Sequence, residues 1–228
     1  MRQLYRLLFY LLGQIILAAG LTLSTKVHLG VSPILSIAYC ASEITGCTIG
    51  DASLFVYIAC IVAEVILHFR QEIVRSDKKR VIISDLLQLP VSFLFTRLMD
   101  LLSHHIPDYS GSLLYRIPLL FLAILFVGTG AAMTLDMRLI ANPADGIVQV
   151  ISDVSGLHLG LTKNIVDITC VAFTVAVSFI VARRIIGIHI GTVLAMLGTG
   201  RVIALFNKLM ELPINWLMAH DNKSNIRV

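Results

Sequence analysis

Charge is scarce in this chain. Lysine, arginine, aspartate and glutamate make up 14% of its 228 residues, where soluble domains carry about 25%. That deficit excludes an ordinary water-soluble domain. The net charge of +4 is too small and too scattered for a nucleic-acid surface. Cysteine is also sparse. Cys40, Cys47, Cys60 and Cys170 show no paired metal or redox spacing, and each sits in or beside an apolar run, where a free thiol packs as a small hydrophobe. No Walker-type phosphate loop, HExxH helix or nucleophile elbow occurs. The chain therefore reads as a non-enzyme with no cofactor. His104-His105, with Asp100 and Asp108 nearby, reads as an exposed loop and not a metal site.

Apolar sequence is abundant: 57% of residues are hydrophobic, and the mean hydropathy is +0.87. Runs of about 20 mainly apolar residues, the length needed to cross a hydrocarbon core, fall at about 4–25, 51–69, 81–102, 113–135, 164–182 and 189–212. The first follows Arg2 and Arg6 but is too long for the core of a secretory signal, so it reads as a retained span.

The sequence also repeats itself. Glu43-Ile44-Thr45-Gly46, followed two residues later by Ile49-Gly50, returns as Asp153-Val154-Ser155-Gly156 with Leu159-Gly160. The same offset of 110 places Gly20 on Gly130, Leu29 on Leu139 and Pro33 on Pro143. One residue out of that register, Phe95–Leu101 matches Phe206–Leu212. Residues 1–110 and 111–228 thus read as two repeats of one membrane domain. Segments 33–46 and 143–156 each open on proline and end at glycine, too short to span. The expected fold is all-α: six transmembrane helices as two inverted three-helix repeats, each with a short proline-initiated half-helix.

The distribution of basic residues supports that topology. With the N-terminus in the cytoplasm, that side collects Arg2, Arg6, the cluster Arg70, Arg75, Lys78, Lys79 and Arg80, then Arg138, Lys163, Lys208, Lys223 and Arg227. The other side holds Lys26, Arg97, Arg116, Arg183 and Arg184. If the short segments crossed, the cluster at 70–80 would face outward. Both termini are therefore expected in the cytoplasm of a bacterial cell, with the chain in its inner membrane.

The half-helix starts are the first candidates for a site. Ser32-Pro33 and Asn142-Pro143 place a capping residue before proline at the first helical position, and Asp145 is placed to complete a local cap. A helix start inside a membrane presents a partial positive charge and free N–H groups, and irregular backbone there belongs beside a cavity. Within the spans, Arg201, Gln88 and Thr199 are expected to face a polar cavity, with Asp85, one turn from Gln88, as an ion-coupling partner. Glu64, Arg97 and Asp167 lie close enough to span ends to reach headgroups. Glycines 187, 191, 198 and 200 suit close packing of the last span.

The Gly30-Val31-Ser32-Pro33 turn, the run Asn142-Pro143-Ala144-Asp145-Gly146, and the pattern Gly187…Gly191-Thr192…Gly198-x-Gly200 resemble the YczE/YyaS/YitT group of bacterial membrane proteins. The resemblance covers most of the chain and implies an integral cytoplasmic-membrane protein, without assigning a substrate. Members often carry an aromatic–Asp pair after the first proline, where this chain has Ile34-Leu35. The function expected from this architecture is a small secondary transporter or facilitator for a polar or anionic solute, bound at the midplane between the repeats. The alternative is a non-transporting scaffold or regulator. Its partners would be the bilayer and either a second copy or another membrane protein, with loop 70–80 and tail 213–228 as contact surfaces.

Overall fold

The computed structural model describes residues 2–70 and 75–211, without the side chains of 2 and 75–80. Segment 71–74, the basic side chains at 75–80 and the tail expected as a contact surface lie outside the described residues. Eight helices follow in order: α1 (Arg2–Val27), α2 (Pro33–Thr45), α3 (Ile49–Arg70), α4 (Arg75–His105), α5 (Leu113–Asp136), α6 (Pro143–Ser155), α7 (Leu159–Ala182) and α8 (Ile190–Leu209). Six are long and apolar enough to cross a membrane. The other two, α2 and α6, are the expected short segments. Their sequences dictate both ends: proline starts each helix, and glycine in the left-handed conformation ends it, Gly46 at φ 75° and Gly156 at φ 69°.

α1 and α5 form the centre. Gly130 abuts the backbone of Leu17, and its counterpart Gly20 abuts the backbone of Val127. These contacts are each other's image under the offset of 110. A glycine on each helix lets the two backbones meet where any side chain would intrude. The ends follow the same rule. Arg6, near the start of α1, donates to the carbonyls of Met137 (2.8 and 2.5 Å) and Arg138 (3.3 Å) at the end of α5. Arg116, near the start of α5, donates to those of Val27 (2.8 Å) and His28 (2.6 Å) at the end of α1. Each arginine satisfies carbonyls that a helix C-terminus leaves without partners. Beyond those termini His28 and Arg138 take matching positive φ, 54° and 47°. The two helices therefore run antiparallel.

The same exchange places each half-helix on the other half: α2 packs on α7, and α6 packs on α3. Ser42 donates to the Cys47 carbonyl and Ser152 to that of Leu157, both at 2.7 Å. The last helices break the pattern. α4 packs along α3 and α1, whereas α8 lies against α5 rather than along α7. Leucine, isoleucine and phenylalanine side chains cover the outer faces of the spans, as lipid contact requires.

Candidate functional site

The half-helix starts differ in their capping. Asn142 is buried and extended, and its side-chain oxygen accepts from the Ala144 N–H at 3.0 Å. Ser32 is also extended but makes no side-chain cap, so its hydroxyl is left for other partners. α6 carries the Asn142 cap alone; the reciprocal bond expected from Asp145, which would take the Asn142 N–H, is not formed.

Both starts line one cavity of about 100 Å³. Ser32, Pro33 and Ile34 form one wall and Asn142, Ala144 and Asp145 the wall opposite; Leu17 and Val127 lie on the central helices. α7 contributes Lys163 and Asp167, and α8 contributes Ala195, Met196 and Thr199. Because α8 does not pack along α7, these two helices stand as separate walls. The volume admits about three waters at ~30 Å³ each, or one small polar group.

Charge reaches this cavity by a route not expected from the sequence. Lys163 Nζ lies 3.6 Å from Asp167 Oδ2, and the Asp167 carboxylate is almost completely buried. The Lys163 charge also acts on Asp145. Asp167 was expected to reach headgroups; instead it lines the cavity together with Lys163, one turn before it on the same face of α7. Four-residue spacing on one helix face was the available signal.

Of the four span residues expected at the cavity, Thr199 lines it and Gln88, Asp85 and Arg201 do not. Arg201 is exposed on the outer face of α8. Two residues along a helix amount to about 200° of rotation, so Thr199 and Arg201 cannot face the same way. Gln88 and Asp85 share a face of α4 that meets α3 and not the cavity. Gln88 Nε2 donates to Glu64 Oε2 at 2.7 Å, and Asp85 Oδ2 lies 2.8 Å from His68 Nδ1. Asp85, expected at the cavity as an ion-coupling partner, is engaged with His68 instead. Glu64 does not reach headgroups either: it is 1% exposed, covered by α6 at Gly146. Arg97 does stay near a span end, half-exposed and paired with Asp51 and Asp100.

Toward the end of the bundle where α1 finishes, Asp108 meets Lys26 and His28, each at 3.1 Å. Partial burial pushes its carboxyl up, but Lys26 and His28 outweigh this and hold it below the usual carboxylate range. Among the described residues no three histidine, cysteine or acidic side chains gather to hold a metal ion.

Comparison with known proteins agrees with this architecture. The model of a family of unknown function, DUF6198, matches residues 4–208. The uncharacterized membrane protein YczE of Bacillus subtilis is 25% identical over 162 residues, covering 71% of this chain and 69% of its own. The uncharacterized protein YyaS of the same organism is 24% identical over 206 residues, covering 90% and 93%. No solved structure matches.

Proposed function

This chain belongs to the DUF6198 family, and on that premise we propose that it is a small secondary transporter or facilitator whose solute binds between the two half-helix starts. The observation that carries the reading is the convergence of Ser32 and Asn142 on one cavity, mostly apolar in its lining, into which Asp145, Lys163 and Asp167 bring charge. Such irregular backbone is tolerated at membrane depth where it faces protein or water. The two repeats, 1–110 and 111–228, are inverted in this reading, as supported by the antiparallel α1 and α5 and by the reciprocal contacts of Arg6 and Arg116. Rocking of one repeat against the other would open the cavity to each face in turn. The α7–α8 gap is the natural place for that movement.

The charge of the solute follows from the lining. An anionic solute was attractive while Arg201 stood near the site. With Arg201 outside and Asp145, Asp167 and Lys163 inside, the cavity favours a solute with an amine or another hydrogen-bond-donating group. Both termini are placed in the cytoplasm, following the excess of basic residues at that end.

The test is water access from each face. Single cysteines at Ser32 and Ala144, in a background lacking the four native cysteines, leave the Asn142 cap intact. Impermeant thiol reagents applied separately to each side should label both positions, with a side preference that changes on adding candidate amines. Two positions inert from both sides, beside normally labelled termini, would favour the scaffold alternative.

A further inference from the structure

We propose that Glu64 carries a proton in this conformation and is the proton-coupling site of the transporter, communicating through His68 and Asp85 with the end of the bundle where α3 finishes. The inference rests on the transport reading above. Glu64 is 1% exposed. Its Oε2 accepts one bond, from Gln88 Nε2, and its Oε1 is buried with no hydrogen-bond partner. Gln88 Oε1 and Ser92 Oγ, one turn further along α4, are likewise buried and without partners. The cluster is rich in acceptors and poor in donors.

Among the described residues no cation is paired with Glu64. On its own helix stand Cys60 and His68, and His68 is engaged with Asp85. Asp85 on α4 carries the same sign as an ionised Glu64. On α6, Asp145 adjoins Gly146, the residue against which Glu64 Oε1 rests. On α7, Cys170 lies near Cys60, and Lys163 is engaged with Asp167. A carboxylate held by one neutral donor among like charges and away from water is unfavourable. The neutral acid removes that cost and turns one oxygen into the donor this cluster lacks.

The equivalent contact in the other half indicates what the fold alone requires. Thr174 occupies the position of Glu64 and bonds Ser36, the counterpart of Gly146, at 2.8 Å. Two neutral hydroxyls close that contact. On the Glu64 side glycine makes room for an acid: a Cβ at Gly146 would lie 2.7 Å from Oε1. Pro90 also interrupts the α4 hydrogen-bond ladder between Gln88 and Ser92, where the helix can bend. When bending or separation of α6 admits water, Glu64 gives its proton to the His68 imidazole, one turn further along α3. Asp85 stabilises the resulting imidazolium, and Glu64 is left as carboxylate until the closed state takes a proton back. The step is proton transfer alone.

Two measurements test this, neither needing a known solute. Infrared difference spectra across a pH jump, on protein reconstituted in liposomes, should contain a protonated buried-carboxyl band near neutral pH that is lost in Glu64→Gln and kept in Asp167→Asn. Glu64→Gln is the isostere of the neutral acid and should fold with unchanged Tm. An absent band, or one that survives Glu64→Gln, overturns the assignment. So does a rise in wild-type Tm when sodium replaces choline that Glu64→Gln abolishes, since Glu64 would then be an ionised sodium ligand. The cysteine labelling at Ser32 and Ala144 should also shift between faces with pH, and lose that shift in Glu64→Gln. Labelling from both faces without pH dependence leaves transport standing and removes proton coupling. Inert positions remove both.

Discussion

Replacing Arg6 with alanine should cost about 3 kcal/mol of stability. Arg6 is 7% exposed, and its guanidinium places three hydrogen bonds on the two carbonyls that follow the last residue of α5. A bond involving a charged group contributes about 1.5–3 kcal/mol, and a buried carbonyl left without a partner costs about 1–3 kcal/mol. Two of the three bonds share the Met137 oxygen, so the sum is well below three independent bonds. The positive charge also offsets the negative end of the α5 dipole, a term of up to about 2 kcal/mol when partly buried. Arg116 makes the counterpart contacts at a wetter end, one of them exposed, and its alanine variant should lose about 1.5 kcal/mol. The two sites are roughly 30 Å apart along α1 at 1.5 Å per residue, so the double variant should lose the sum. Arg6→Lys supplies charge without the planar fork and should recover about half of the loss, or ~1.5 kcal/mol. Reversible unfolding in mixed micelles, followed by circular dichroism, measures all four. A loss under about 0.5 kcal/mol for Arg6→Ala, the scale of an ordinary surface change, would refute the capping role.

Gly130→Ala drives a methyl into the Leu17 backbone, which cannot rotate away; unfolding titrations should give a loss of about 1–3 kcal/mol, with Gly20→Ala similar for the same reason. Gly146→Ala should also destabilise, but less in a Glu64→Ala background, because the clash is with the flexible Glu64 carboxyl; a double-mutant cycle in the same assay should return a coupling of about 0.5–3 kcal/mol. Asp108 has its folded-state value lowered, so its contribution is present above the unfolded carboxylate range and is lost as pH falls through the folded value. Its side chain is 58% exposed, which limits the effect to under about 1 kcal/mol; unfolding of wild type and Asp108→Asn should differ at neutral pH and converge in acid.

The short helices were legible because their boundaries are local chemistry. Segments 33–46 and 143–156 became Pro33–Thr45 and Pro143–Ser155, since proline sets a helical start and glycine a left-handed stop wherever they sit. The α7 boundary was less legible. A span read from 164 begins at Leu159, because Thr162 and Lys163 look like loop residues to a hydropathy argument. That shift hid Lys163 and Asp167 as a pair on one face. Glu64 was misplaced for a different reason. Its distance from the end of its own span suggested a headgroup contact, but its burial comes from α6, some eighty positions along the chain. A single helix does not record which partner will cover it. The arginine pair lay in plain view, since Arg6 and Arg116 differ by the repeat offset, yet basic residues near span ends are ordinarily read as topology signals.

The repeat separates frame from chemistry without any second sequence. Counterparts that stay alike hold the halves together: Gly20 with Gly130, Arg6 with Arg116, Ser42 with Ser152. A symmetric contact requires both members, so each pair keeps its residue type. Counterparts that diverge include those at the two sites that hold buried ionisable groups. Tyr57 and Asp167 occupy equivalent places and line the same cavity, one a phenol and the other an acid. Lys163 corresponds to Ser53, Asp145 to Leu35, and Glu64 to Thr174. Packing alone would accept the neutral member at each of these places, as Ser36 and Thr174 demonstrate at theirs. The ionisable groups are therefore additions to a frame that closes without them, and buried charge costs stability. A function that needs charge at membrane depth accounts for that cost. Lys163 and Asp167 stand on the cavity that both half-helix starts line, which is where the proposed solute site would use them.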